Sequence, residues 1–222
     1  MKHRCDVIAM GTVAGVDEAG RGCAIGPLVV AGVLIDESKV DDLRLMGVRD
    51  SKKLSPKRRE ALAPEIEAVA SMCAHFIIAP RAIDRVVERG EKLRKLNYLE
   101  AMAMARVIRD LRPDRAYVDP ADVLPDRFAD QILRVLPERP EMVCEHRADD
   151  KYAVVSAASI LAKVRRDRIV AELRREHGNF GSGYCHDART ISFLEAWFRE
   201  RDWCPPFIRG SWITVKRIRG LR

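Results

Sequence analysis

The sequence has no long apolar run, no paired-cysteine spacing, no internal repeat and no low-complexity linker. Its least polar stretch, residues 24–35, is interrupted by Gly26 and Pro27. A membrane-spanning helix needs roughly 20 apolar residues, so none is expected. Lys2 and Arg4 make the N-terminus basic, but Asp6 breaks any signal-like segment and no cleavage pattern follows. The expectation is a soluble, cytoplasmic protein. Six cysteines (5, 23, 73, 144, 185, 204) show neither a C-x-x-C pair nor zinc-like histidine spacing. With 222 residues, 47% of them hydrophobic, the chain can bury an ample core without a disulfide framework. Most of the cysteines should then be reduced and buried.

Acid is also missing where it would balance the tail. Residues 209–222 contain Arg209, Lys216, Arg217, Arg219 and Arg222 and no acid. The formal charge of +7 is carried by residues 161–222, where 14 Lys+Arg face 7 Asp+Glu; residues 1–160 are balanced at 26 and 26. Such asymmetry suits an anionic partner such as nucleic acid, or simply a solvated basic surface.

What is present reads as α/β. Two β-branched runs, residues 12–16 and 28–35, flank a glycine-rich turn and look like a hairpin. Ser55 and Pro56 open a helix to about Val69, a strand follows over residues 72–79, and helices over residues 82–88 and 92–111. Arg115–Val118 reads as a short strand, residues 125–136 as a helix, and residues 142–145 as another strand. Residues 151–177 form the longest expected helix, apolar in its first half and charged in its second. A last helix covers residues 188–199, and residues 212–218 suggest a strand or extended tail.

Five acidic residues lie at three ends of these elements: Asp17-Glu18, Asp119 and Asp149-Asp150. Acids at strand ends and helix starts can converge on one cleft, where their repulsion would be neutralised by two divalent cations. Each has a plain structural use as well. Asp149 or Asp150 could cap a helix, and Asp119 could turn the chain before Pro120. Asp17 and Glu18, as strand neighbours, should face opposite sides unless the backbone bends near Gly20-Arg21-Gly22. That tripeptide could be only a hairpin turn, or it could admit a sugar–phosphate close to the backbone. Lys52 and Lys53, beside Ser51 and Ser55, suit either a polar helix entry or a phosphate.

Taken together, Val16-Asp17-Glu18-Ala19-Gly20-Arg21-Gly22, Arg49-Asp50-Ser51-Lys52-Lys53-Leu54-Ser55-Pro56, Ala148-Asp149-Asp150-Lys151-Tyr152 leading to Ser156–Lys163, and Gly181-Ser182-Gly183-Tyr184 resemble ribonuclease HII of the archaeal type. The resemblance runs in order over roughly residues 13 to 215. It implies a ribonuclease H-like fold: a mixed five-stranded sheet flanked by helices, with a catalytic core over residues 1–176 and a C-terminal helical substrate-binding subdomain over residues 177–222. It implies hydrolysis of RNA in RNA–DNA hybrids and cutting 5′ to ribonucleotides embedded in duplex DNA, leaving 3′-hydroxyl and 5′-phosphate ends. By motif position, Asp17, Glu18, Asp119 and Asp149 would bind two Mg²⁺ or Mn²⁺ ions and carry catalysis, with Asp150 and Asp122 as competitors. Gly20, Arg21 and Gly22 would read the backbone at the junction. Tyr184 would stack on the following deoxyribose, although a tyrosine there can also be packing. Lys52, or Lys53, would hold a phosphate.

The chain departs from the family pattern at Cys23, Cys185 and Ala153, where proline is usual. Its tail, residues 216–222, lacks the glutamine-and-aromatic motif with which some relatives bind a sliding clamp, so no clamp binding through it is expected. Nothing demands more than a monomer. Two other functions fit the same residues: a metal-dependent nuclease for DNA junctions, and a catalytically silent nucleic-acid binder, against which four retained acids argue.

Overall fold

The computed structural model describes residues 11–89 and 92–221. Strands β1 (Thr12–Ala19) and β2 (Leu28–Asp36) form the expected hairpin, followed by α1 (Val40–Leu45), α2 (Pro56–Val69) and β3 (Met72–Ile78). Then come α3 (Pro80–Glu88), α4 (Lys92–Leu111), β4 (Arg115–Val118), α5 (Pro125–Leu133) and β5 (Glu141–Cys144). The chain continues through α6 (Ala148–Lys151), α7 (Ala153–His177), α8 (Ala188–Glu200) and α9 (Ile213–Ile218). The five strands make one mixed sheet in the order β3-β2-β1-β4-β5. β1–β2 and β2–β3 are antiparallel, β1–β4 and β4–β5 parallel. The α/β fold, a five-stranded mixed sheet flanked by helices, is thus the one expected.

Alternation along the central strands explains the layers. Val13 on β1 and Ala31, Val33 and Ile35 on β2 pack under α7 and α2, with Val154, Ala157, Leu161 and Leu62. Ala14, Val16, Val30 and Leu34 face the other way, against Met104, Val107 and Ile108 of α4 and Phe128 of α5. The first half of α7 is buried on nearly every side because it crosses the sheet closely. Gly15 permits that approach: a methyl group there would run into the backbone of Val154. A third apolar cluster joins Ala24 and Ile25, from the β1–β2 connection, to Val170, Phe180, Leu194, Phe207, Ile208 and Val215. Among the described residues, no helix is long and apolar enough to cross a membrane.

Several expectations need correction. β1 runs through Asp17 and Glu18 to Ala19, because β2 pairs with it in unbroken register, Asp17 opposite Ala31 and Glu18 opposite Val30. Residues 213–218 are helical, with Val215 buried in the third cluster, so packing overrides the strand-like composition of Ile213, Thr214 and Val215. The expected helix over residues 151–177 is broken at Tyr152, whose extended backbone separates α6 from α7. All five described cysteines are free, but only Cys23 is buried; Cys73, Cys144, Cys185 and Cys204 are half-buried. Cys5 and Arg222 lie outside the described residues.

Candidate active site

The parallel strands β1, β4 and β5 end on the same side of the sheet, and the acids gather there. Asp17 and Glu18 sit on the last turn of pleat in β1, Asp119 directly follows β4, and Asp149 lies in α6 just beyond β5. All four line one cleft of about 380 Å³ together with Gly20, Arg21, Gly22, Ser51, Lys52, Ser159, Lys163 and Tyr184. No bend inside β1 is needed for its two neighbouring acids to share the cleft. Pairing with β4 stops at Val16–Val118, so beyond Val16 that edge of β1 is not covered by a neighbouring strand. A larger hollow of about 610 Å³ beside the end of α4 is lined by Arg109, Arg112 and Pro137 among others and gathers no comparable set of acids.

The competing residues go elsewhere. Asp150 is exposed and paired with Lys53 (2.8 Å) and Arg147 (2.7 Å). Asp122 is buried in a bidentate pair with Arg127; burial pushes its carboxyl up, but Arg127 and the Leu124 amide together hold it below the usual range. Neither lines the cleft. Neither Asp149 nor Asp150 acts as a helix cap: Arg147 and Tyr152 occupy those positions, without side-chain capping bonds. Lys52 reaches into the cleft, 3.3 Å from Asp149 Oδ2.

Electrostatics in the cleft are those of crowded acids. Burial raises the Asp17 carboxyl to about 7, with the charges of Asp119 and Asp149 adding to it and bonds from Ser159 and the Glu18 amide opposing. Glu18 is pushed well above its ordinary value, first by burial, then by Asp17 and Glu100. Asp119 is raised by burial and then by Asp149. Oε2 of Glu18 is buried without a hydrogen-bond partner. Among the described residues, no three acidic, histidine or cysteine side chains already close into a compact ligand cage.

These sequence and structural features have counterparts in known proteins. A family profile for ribonuclease HII matches residues 14–215. The chain belongs to the ribonuclease HII family. It is 45% identical over 214 residues to the ribonuclease HII of Thermofilum pendens, covering 95% of this chain and 100% of that one. The crystal structure of ribonuclease H2 from Pyrococcus horikoshii superposes with a TM-score of 0.86 at 43% identity, over 94% of this chain and 97% of that one. The ribonuclease HII of Archaeoglobus fulgidus, solved in complex with PCNA, superposes with a TM-score of 0.82 at 41% identity, over 93% and 96%. As a member of that family, the chain is a metal-dependent nuclease that acts on nucleic acid, and the family cleaves the RNA of RNA–DNA hybrids.

In this chain the Gly20–Gly22 loop is held by residues that the sequence does not single out. The Arg21 guanidinium donates to Glu100 (3.1 Å) and Asn97 (2.7 Å), both buried on α4. Burial raises the Glu100 carboxyl to about 7, against the pull of Arg21. The Cys23 thiol, at a usual proline position, donates to the Gly20 carbonyl (3.0 Å). Arg166 and Arg209, from the charged half of the long helix and the basic tail, are among the largest fully buried side chains. Arg166 lies over the Tyr184 ring, 4.6 Å from its centroid, and donates to the Ser182 carbonyl (3.1 Å). A buried arginine amid backbone carbonyls has no periodic signature, so nothing in the sequence distinguishes these two from the surface arginines around them.

Proposed function

We propose that this chain is an endonuclease that cuts the RNA strand of hybrids and incises 5′ to ribonucleotides embedded in duplex DNA, leaving 3′-hydroxyl and 5′-phosphate ends. The observation that carries the reading is the convergence of Asp17, Glu18, Asp119 and Asp149, at or just beyond the ends of three adjacent parallel strands, onto the cleft that Gly22 and Tyr184 also line. The donor set suits hard divalent cations such as Mg²⁺ or Mn²⁺. It is all carboxylate oxygen, it repels itself, and it includes a buried Glu18 oxygen without a partner. Asp17, Glu18, Asp119 and Asp149 would hold two such ions, which when bound supply an activated water and stabilise the leaving oxygen.

The other cleft residues have roles that follow from their chemistry. Lys52 would exchange Asp149 for a phosphate of the bound strand. Gly22 is exposed, and a Cβ there would meet nothing within 4 Å. The free protein therefore gives no steric reason for glycine at this position, whereas a sugar–phosphate lying against the backbone would. Tyr184, backed by Arg166, would stack on the deoxyribose after the ribonucleotide, where the 2′-hydroxyl is the mark that separates RNA from DNA. Residues 1–176 would form the catalytic core and 177–222 the substrate-binding subdomain, working as a monomer. Although the A. fulgidus relative was solved with PCNA, residues 216–222 lack the glutamine-and-aromatic motif, and we propose no clamp binding through that tail.

One assay tests this. A DNA duplex containing a single ribonucleotide is incubated with Mg²⁺ or Mn²⁺ beside an all-DNA duplex and an Asp17→Asn control. Cleavage on the 5′ side of the ribonucleotide alone, lowered by at least roughly 10²-fold in the control, is the expected result. Cutting of the all-DNA duplex would instead indicate a junction nuclease, and binding without cutting a silent binder.

A further inference from the structure

We infer that Arg209 is a positioning residue for the substrate-reading loop: from the C-terminal region it fixes the peptide planes of Gly20 and Arg21. The inference rests on the reading above that this loop meets the nucleic acid.

The Arg209 side chain is fully buried. Its Nη2 donates to the carbonyls of Gly20 (2.7 Å) and Gly26 (3.1 Å), its Nη1 to the carbonyl of Arg21 (2.7 Å), and its Nε to Gly26 (3.2 Å). Burying a guanidinium is unfavourable unless its donors are satisfied, and an apolar side chain would fill the space without that penalty. What an apolar side chain cannot do is fix carbonyl directions, whereas the planar guanidinium fork does so for three at once.

Those directions have a consequence across the peptide plane. In a planar trans peptide the N–H points opposite to the preceding C=O. With the Gly20 and Arg21 carbonyls turned onto Arg209, the amides of Arg21 and Gly22 point away from it. Neither amide donates a hydrogen bond to another described residue. They are free donors on a loop that lines the cleft, and phosphate or sugar oxygens are the acceptors they would take.

Arg209 is itself held in place. Its amide donates to the Ala24 carbonyl (2.8 Å), Gly26 donates to the Phe207 carbonyl (2.9 Å), and Ile25 bridges Ile208. On the far side, Asp84 of α3 accepts the amides of Gly210 (2.9 Å) and Ser211 (3.1 Å) and the Ser211 hydroxyl (2.6 Å). The loop has little slack at Gly20, where a Cβ would stand 2.5 Å from Arg166 Nε and 2.6 Å from the Pro27 carbonyl.

The test compares Arg209→Gln, Arg209→Lys, Asp84→Ala and Gly22→Ala with the unaltered protein. KM and kcat are measured on the single-ribonucleotide duplex, with Mn²⁺ affinity and melting temperature alongside. Arg209→Gln should raise KM about tenfold or more while kcat changes less than about threefold and Mn²⁺ affinity stays constant; Arg209→Lys should recover part of the loss. Unchanged KM in folded Arg209→Gln, or losses in KM and kcat that only follow the fraction unfolded, would overturn the inference. If Arg209→Gln does not fold, Asp84→Ala loosens the same segment with the arginine intact, and a KM equal to that of the unaltered protein overturns it equally. A raised KM in Gly22→Ala beside an unchanged one in Arg209→Gln sinks the role of Arg209 alone. An unchanged KM in Gly22→Ala removes the substrate-reading loop itself, and this inference with it.

Discussion

The Lys52 ammonium stands 3.3 Å from Asp149 Oδ2, an exposed cation placed against a buried acid of the cleft. Burial would depress the lysine, but Asp149, by charge and hydrogen bond, together with Asp50 and Asp17 holds its pKa above the ordinary value. Lys52 therefore competes with any divalent cation for Asp149 while offering a contact for phosphate. Replacing it should move these two properties in opposite directions. Lys52→Ala should bind Mn²⁺ a few-fold more tightly without substrate and show a KM raised by about tenfold, since a charge-assisted contact contributes roughly 1.5–3 kcal/mol. Calorimetric titration beside steady-state kinetics checks both, and weaker Mn²⁺ binding would count against the competition.

Without metal, the crowded acids oppose folding in a pH-dependent way. The Asp17 carboxyl is raised from 3.8 to about 7, so the folded chain keeps a proton that the unfolded chain has released. Stability of the metal-free protein should therefore fall as pH rises from about 4 to about 7 and stay low above that. Asp17→Asn removes this penalty. In EDTA at pH 8 its melting temperature should exceed that of the unaltered protein by roughly 2–4 °C for each kcal/mol regained, and near pH 4 the advantage should vanish. A variant less stable at both pH values would contradict the electrostatic account.

Gly15→Ala should be among the most damaging single-methyl changes in the chain. The added carbon would meet the Val154 backbone at the start of α7, which cannot rotate away as a side chain can. A loss on the order of 3 kcal/mol is expected from such overpacking, read as a lowered denaturation midpoint. A change within about 0.5 kcal/mol would mean that α7 does not press on β1 as described.

Tyr184→Ala should weaken cleavage at an embedded ribonucleotide while Mn²⁺ binding persists. Loss of a ring that stacks on the substrate corresponds to about 1–3 kcal/mol, or roughly 5- to 150-fold in kcat/KM. Unchanged kinetics on the single-ribonucleotide duplex would remove Tyr184 from the substrate site and leave it a packing residue against Arg166.

The charge of the C-terminal region should appear as salt dependence. If the excess of 14 Lys+Arg over 7 Asp+Glu in residues 161–222 faces the duplex, KM should rise at least about tenfold between roughly 50 and 200 mM salt, as two or more phosphate contacts would give. A flat response would mean that this charge is solvated surface.

Local chemistry made the layers and most of the cleft legible in advance. The apolar, β-branched run of β2, the Ser55-Pro56 helix start and the apolar first half of α7 each state a local preference that the fold keeps. Asp17 and Glu18 were legible as a pair, but how they share a site depends on β4 ending at Val118, opposite Val16, a property of a partner strand. Asn97, Glu100, Arg166 and Arg209 were not legible at all. Their surroundings are assembled from segments far apart in sequence, as when Arg209 bonds Gly20, and charge patterning registers them only as ordinary polar residues of helices and tail.

The bond between residues 20 and 209 also sets an order of assembly. A chain made from its N-terminus has all four acids by residue 149, and the five strands that carry or precede them are complete by Cys144. The loop beside those acids waits for a partner near the other end of the chain, the kind of long-range contact that forms late. A chain complete through its last acid, at residue 149 of 222, still lacks the arginine that fixes the loop choosing what those acids act on.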